Sequence, residues 1–140
     1  MYAVIRVRGS VNVPKRVKDT LQMLRLTRVN HCVIVPKNPD YEGMLQKASA
    51  YVTWGEISQE MLEALVSKRG RLPQDERLEG KQARDVSKKI LKDGMKESGI
   101  KPVFRLSPPS RGYKSVRLAY PKGDLGKRGE AINQLLKRMI

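Results

Sequence analysis

The sequence predicts an α+β protein. A β-α-β-α-β core over residues 1–57 has a three-stranded sheet with its helices on one face, and a helical and basic-loop extension over residues 58–140 packs with it as one domain. Three observations carry this. Tyr2–Arg8 alternates, with Ala3, Ile5 and Val7 on one face and Tyr2, Val4, Arg6 and Arg8 on the other, which is the period of a strand. Two further β-rich runs, Cys32–Val35 ended by Pro36 and Tyr51–Trp54 closed by Gly55, read as strands. Between the three runs apolar residues recur at helical spacing. The arginines on one face of the first strand predict a sheet covered on one side only, its open side a platform for phosphates.

In chain order, Pro14 opens the first helix, with Val17, Thr20, Leu21 and Leu24 on one face and Lys15, Arg16, Lys18 and Arg25 outside. A short turn, Leu26–Asn30, leads to the second strand. Asn38 caps the second helix, Pro39 suits its first position, and Asp40 and Glu42 sit in the first turn, where the helix dipole favours acids. Tyr41, Met44, Leu45 and Ala48 form its inner stripe. Ser58 caps a third helix near 58–70, with Ile57 and Leu62 placed as a hydrophobic staple and Lys68, Arg69 and Gly70 at its end. Residues 71–80 read as a polar connector. A fourth helix near 81–93 turns Ala83, Val86 and Ile90 inward, and a fifth near 130–139 packs Ile132, Leu135, Leu136 and Met139.

Charge bounds the function. Twenty-nine Lys and Arg against fourteen Asp and Glu give +15, a balance that points to a polyanionic partner, nucleic acid before an anionic membrane. Residues 58–100 are richly charged but nearly balanced, whereas residues 101–128 carry eight bases and one acid, almost half of the excess. No apolar run approaches the ~18 residues of a membrane span and no secretory signal opens the chain. One cysteine forms no internal disulfide, and a cytoplasmic location is expected.

Residues 101–128 differ in kind from the rest. Four prolines and three glycines break any helix, and Phe104, Tyr113 and Tyr120 alternate with Arg105, Arg111, Lys114, Arg117 and Lys122. A basic loop of this composition can follow a phosphate backbone while its aromatic rings stack on unpaired bases. Phe104 reads first as a core residue; Tyr113 reads equally as core or as stacking platform. The candidate RNA-binding residues are Arg6, Arg8, Lys15, Arg16, Arg28, Lys37 and Lys47 around the sheet, with Arg105, Arg111, Tyr113, Lys114, Arg117, Lys122, Lys127 and Arg128 from the loop.

Catalytic and metal-binding patterns are sparse. His31 and Cys32 are adjacent, and adjacent strand side chains point to opposite faces, so they do not act as a pair. Cys32 reads as a core residue and His31 as a hydrogen-bonding residue at a strand end. One His and one Cys fall short of a structural zinc site, and no phosphate loop of the GxxxxGK[ST] type occurs. The acids Glu60, Glu63, Asp75, Glu76 and Glu79 are expected to be solvated. Val7–Val13, between a strand and a helix, faintly resembles the anion-binding loop of acylphosphatases. That loop expects a glycine where Val13 stands and an aromatic–arginine pair where Arg16-Val17 stand. No enzyme activity and no cofactor or metal are expected.

Three segments together, residues 24–57 (LRLTRVNHCVIVPKNPDYEGMLQKASAYVTWGEI), 104–113 (FRLSPPSRGY) and 121–136 (PKGDLGKRGEAINQLL), closely resemble the universal large-subunit ribosomal protein "L-thirty" family. Its eukaryotic counterpart is called large-subunit protein seven. Helices and a basic loop after the third strand, without a long basic N-terminal extension, match the archaeal type. The resemblance implies a ferredoxin-like relative with the first strand central, and a structural, non-enzymatic component of the large subunit. It also implies large-subunit ribosomal RNA and neighbouring ribosomal proteins as partners, with the five-S ribosomal RNA nearby, and no membrane or small-molecule substrate. A free-standing RNA-binding or RNA-remodelling module and, more remotely, an acylphosphatase-like hydrolase are the alternatives.

Overall fold

The computed structural model describes every residue except Ser10, Asp75, Arg77, Glu79 and residues 95–98, and the side chain of Asp93. Two of the acids expected to be solvated, Asp75 and Glu79, therefore lie outside the described residues. The elements run β1 (Tyr2–Arg6), α1 (Lys15–Met23), β2 (His31–Val35), α2 (Pro39–Lys47), β3 (Val52–Glu56), α3 (Gln59–Arg69) and α4 (Gly80–Asp93). They continue with β4 (Val103–Arg105), β5 (Gly126–Lys127), a 3-10 turn at Gly129–Ala131 and α5 (Ile132–Met139).

The strands form one sheet in the order β4-β2-β1-β3-β5, with β1 central as the resemblance implied. Neighbours are antiparallel except β3 and β5, which are parallel. In register, Val4 lies between Val33 and Trp54, and Ile5 between Cys32 and Thr53. The sheet thus has five strands where three were expected. The added pair, β4 and β5, are short segments of the stretch read as loop. Three and two residues are too few to show a period; only an open sheet edge makes them strands.

The core helices α1 and α2 share one face of the sheet, as predicted. Tyr2, Val4, Val33, Val35 and Trp54 meet Val17 and Leu21 of α1 and Leu45 of α2 there. The opposite face is not open. Ala3, Ile5, Cys32, Ile34 and Phe104 are buried against Leu62 and Leu65 of α3, Ile90 of α4 and Leu135 and Leu136 of α5. The expected phosphate platform is therefore a second core layer. Every residue of β1 is buried, and Arg6 lies in the α1/α2 face with Tyr2 and Val4, so its charge does not mark a wet side.

Local chemistry sets the helix ends. Asn38 Oδ1 accepts the Tyr41 amide at 2.9 Å and Ser58 Oγ accepts the Met61 amide at 3.2 Å, each satisfying an amide that the helix leaves unpaired. Gly55 is required for another reason. A Cβ there would stand 2.0 Å from the Gly129 carbonyl oxygen, so only glycine lets the 3-10 turn cross β3 and deliver α5 to its face.

Candidate nucleic-acid interface

The strand directions gather basic residues from several elements at one end of the sheet. Pairing places the C-terminal ends of β1 and β4 beside the N-terminal ends of β2, β3 and β5. Arg8, Arg28, His31, Arg105 and both roots of the 106–125 loop therefore gather there. Helices α2 and α3 begin at the opposite end, after β2 and β3, and finish at this one with Lys47 and with Lys68 and Arg69. Helix α5 does likewise: Asn133 bonds the Glu56 carbonyl at 3.2 Å at the far end, while the Met139 carbonyl accepts the Ser107 amide at 3.1 Å at the near end.

Of the fifteen candidate residues, the structure leaves most exposed and withdraws a few. Lys15 and Arg16 are exposed on the first turn of α1, Lys47 ends α2, and Arg28 is exposed in the turn before β2. Arg8 is half-buried with its guanidinium 5.3 Å from the Tyr51 ring centre. Arg105, Arg111, Lys114, Arg117, Lys122 and Lys127 are exposed.

Arg6 is not available to RNA. It is 3% exposed, and its guanidinium donates to the Leu26 and Arg8 carbonyls at 2.8 and 2.9 Å, pinning the 24–30 turn to β1. Burial holds its pKa below the ordinary value. Arg128 is likewise internal. It donates to Thr53 Oγ1 at 2.9 Å and to the Asp124 carboxylate at 2.9 Å, beneath the Tyr120 ring. Burying a guanidinium is costly unless acceptors meet it, and both arginines find theirs inside the fold. Lys37 lies at the wrong end: its ammonium pairs with Glu56 at 2.6 Å, which holds the Glu56 carboxyl below its usual range.

Tyr113 takes the core option. Its ring packs on the second core layer, its hydroxyl donates to Asn30 Oδ1 at 2.8 Å, and burial pushes its pKa up to about 12. Tyr120, 42% exposed, is the open ring of the loop. Phe104 is fully buried, as expected. Cys32 is fully buried and its thiol pKa is pushed up to about 12, so it stays protonated at neutral pH. His31 departs from the strand-end hydrogen-bonding role expected of it, because its Nδ1 is buried without a partner among the described residues.

Sequence reasoning missed a second cluster. Arg25, Arg69, Arg71, Lys101 and Arg105 surround a cleft of about 530 Å³ at the outer edge of β2 and β4, with His31 and Thr27 in its wall. Arg69 and Arg71 were read as the end of a helix and a connector, and no spacing rule joins them to Arg25. Among the described residues, no group of three or more His, Cys, Asp or Glu is placed to hold a metal ion, and no helix is long and apolar enough to cross a membrane.

The structure thus defines a small, strongly basic α+β layered protein that gathers cations from several elements at one end of its sheet. The profile of the family described as "Ribosomal protein L30p/L7e" matches residues 2–52. The chain is 43% identical to "Large ribosomal subunit protein uL30" of Methanosphaera stadtmanae, with all of both chains covered. It is 42% identical to the protein of that name in Archaeoglobus fulgidus, over 99% of each chain. With the Nanoarchaeum equitans protein of that name it shares 44% identity over 100% of this chain and 99% of that one. The chain belongs to the L30p/L7e ribosomal protein family, and these relatives are archaeal.

Proposed function

We propose that this chain is a structural component of the large ribosomal subunit in the cytoplasm, where it binds and stabilises folded large-subunit ribosomal RNA near the five-S RNA. Neighbouring ribosomal proteins are its further partners. Full-length likeness to uL30 proteins supports the subunit assignment. The observation that carries the RNA reading is the polarity of the molecule: cations of β1, β4 and the last turns of α2, α3 and α5 meet at one sheet end, while Asp40, Glu42, Glu56 and Glu60 sit at or near the other.

The near end acts as an electrostatic grip. Each phosphate neutralised by Lys or Arg releases condensed counterions, so ~6–10 contacts make affinity fall by roughly 10³–10⁵ between 50 and 200 mM salt. Such contacts orient the protein, and selectivity comes from the shape of the folded RNA and from any base stacked on Tyr120.

The test is charge reversal in the loop. Arg111→Glu, Arg117→Glu and Lys122→Glu together are expected to weaken binding to large-subunit ribosomal RNA at least a hundredfold and to leave the melting temperature unchanged, because all three side chains are exposed. Undiminished binding, read by filter retention and by co-sedimentation with the subunit after a high-salt wash, sinks the reading.

A further inference from the structure

The cleft at the β2–β4 edge lies outside the 106–125 loop, and five cations from three segments of the chain line it. We propose that it is a second RNA site, one that holds the sugar–phosphate backbone of an unpaired or sharply bent strand. This rests on the reading of the chain as an RNA-binding component and adds to it a place and an RNA geometry.

Charge is the first argument. Among the described residues no carboxylate pairs with Arg25, Arg69, Arg71 or Arg105, so like charges face one another across the cleft. Crowded cations repel, and the ligand that relieves them carries several closely spaced negative charges. Shape is the second. A concavity of about 530 Å³ is the size of a site for a small organic ligand, about 300–1,000 Å³. It is wide enough for a short stretch of single strand, and unpaired strands are the RNA elements whose bases side chains reach.

The site is also built in advance. Arg25 stands on the turn that Arg6 pins, with the left-handed φ of 63° there setting its direction. The Arg69 guanidinium is fixed by the Ser107 hydroxyl at 2.7 Å and the Arg105 carbonyl at 3.4 Å. The Lys101 amide donates to the Arg71 carbonyl at 2.8 Å, which holds those two residues together. The Arg69 guanidinium therefore has little rotamer freedom left to lose on binding.

His31 supplies a neutral acceptor. Burial first, then Arg105, Arg28 and Arg6, hold its pKa below the ordinary value, so the ring is uncharged at pH 7 with one nitrogen free to accept. His31 lies in the cleft wall, where the ring nitrogen that carries no proton is the acceptor offered to a ribose 2′-hydroxyl.

His31 is the single histidine of the chain, so its imidazole NMR signals report on the cleft without ambiguity. A single-stranded oligoribonucleotide is expected to shift them, the matching deoxyoligonucleotide less. Arg25→Glu with Arg71→Glu should abolish the shift, weaken binding to large-subunit ribosomal RNA about tenfold or more, and lower the salt slope by about 2. If the pair perturbs folding, Arg25→Glu alone, at an exposed turn, should lower the slope by about 1. A variant that binds RNA with wild-type affinity and slope overturns the cleft and leaves the functional reading standing. Equal shifts with the deoxyoligonucleotide overturn its preference for RNA. Tripolyphosphate that moves His31 and is not displaced by RNA assigns the cleft to a soluble phosphorylated ligand and overturns it. A wild-type chain that binds no ribosomal RNA overturns both readings.

Discussion

Arg6 shows how one side chain can mislead a reading of the sequence and still serve the site. Placed by alternation on an exposed face, it instead ends the buried strand and spends its donors on the carbonyls of Arg8 and Leu26. Removing the guanidinium leaves two acceptors unsatisfied inside the protein, each worth about 1–3 kcal/mol. Arg6→Met, which keeps most of the apolar stem, is therefore expected to destabilise by about 2–3 kcal/mol in urea unfolding. It should also loosen the turn that carries Arg25 and Arg28. Phe104 and Cys32 were legible as core residues because apolar character and burial go together. The inward turn of Arg6 and Arg128 was not, since charge gives no sign of carbonyls and a carboxylate supplied from distant parts of the chain.

At the scale of elements, the helices were legible and the short edge strands were not. Asn38-Pro39 and Ser58 announce helix starts through chemistry that acts within four residues, and both caps stand where the sequence placed them. β4 and β5 have no such local signal; they exist because β2 and β3 present unpaired edges. The extension helices close the second face of the sheet, and α5 reaches it only through the close crossing at Gly55. Gly55→Ala sets a methyl group against the Gly129 backbone oxygen, which no side-chain rotation relieves. A loss of about 3 kcal/mol or more is expected, measured by urea denaturation; a change under about 1 kcal/mol would show that the 3-10 turn shifts freely.

Across the molecule, three of the helices share one polarity with the sheet. Helices α2, α3 and α5 run the same way, with acids in or near the first turns of α2 and α3 and bases in the last turn of all three. Acids suit helix N-termini and bases C-termini, so the same placement that stabilises the helices also assembles the cationic end. Stability should show a matching window in pH. The folded state holds His31 below its ordinary value of 6.5, so the unfolded chain binds the extra proton in acid, and stability falls as pH drops through 6.5. The folded state keeps the Cys32 and Tyr113 protons to about 12, whereas the unfolded groups release theirs near 9 and 10, so stability also falls as pH rises above 9. Melting scans at pH 5, 8 and 10.5 are expected to peak at the middle value; a flat profile would show that these buried groups do not differ between the folded and unfolded states. By itself the sequence determined the α+β class, the five helices, the surplus of positive charge and the family resemblance, because caps, periodicity and composition act over short spans. Only the tertiary structure decided that both sheet faces are covered, which arginines are internal, and that Arg25, Arg69, Arg71, Lys101 and Arg105 meet around one cleft. Those outcomes depend on strand order and chain direction, which bring together residues that no local pattern connects.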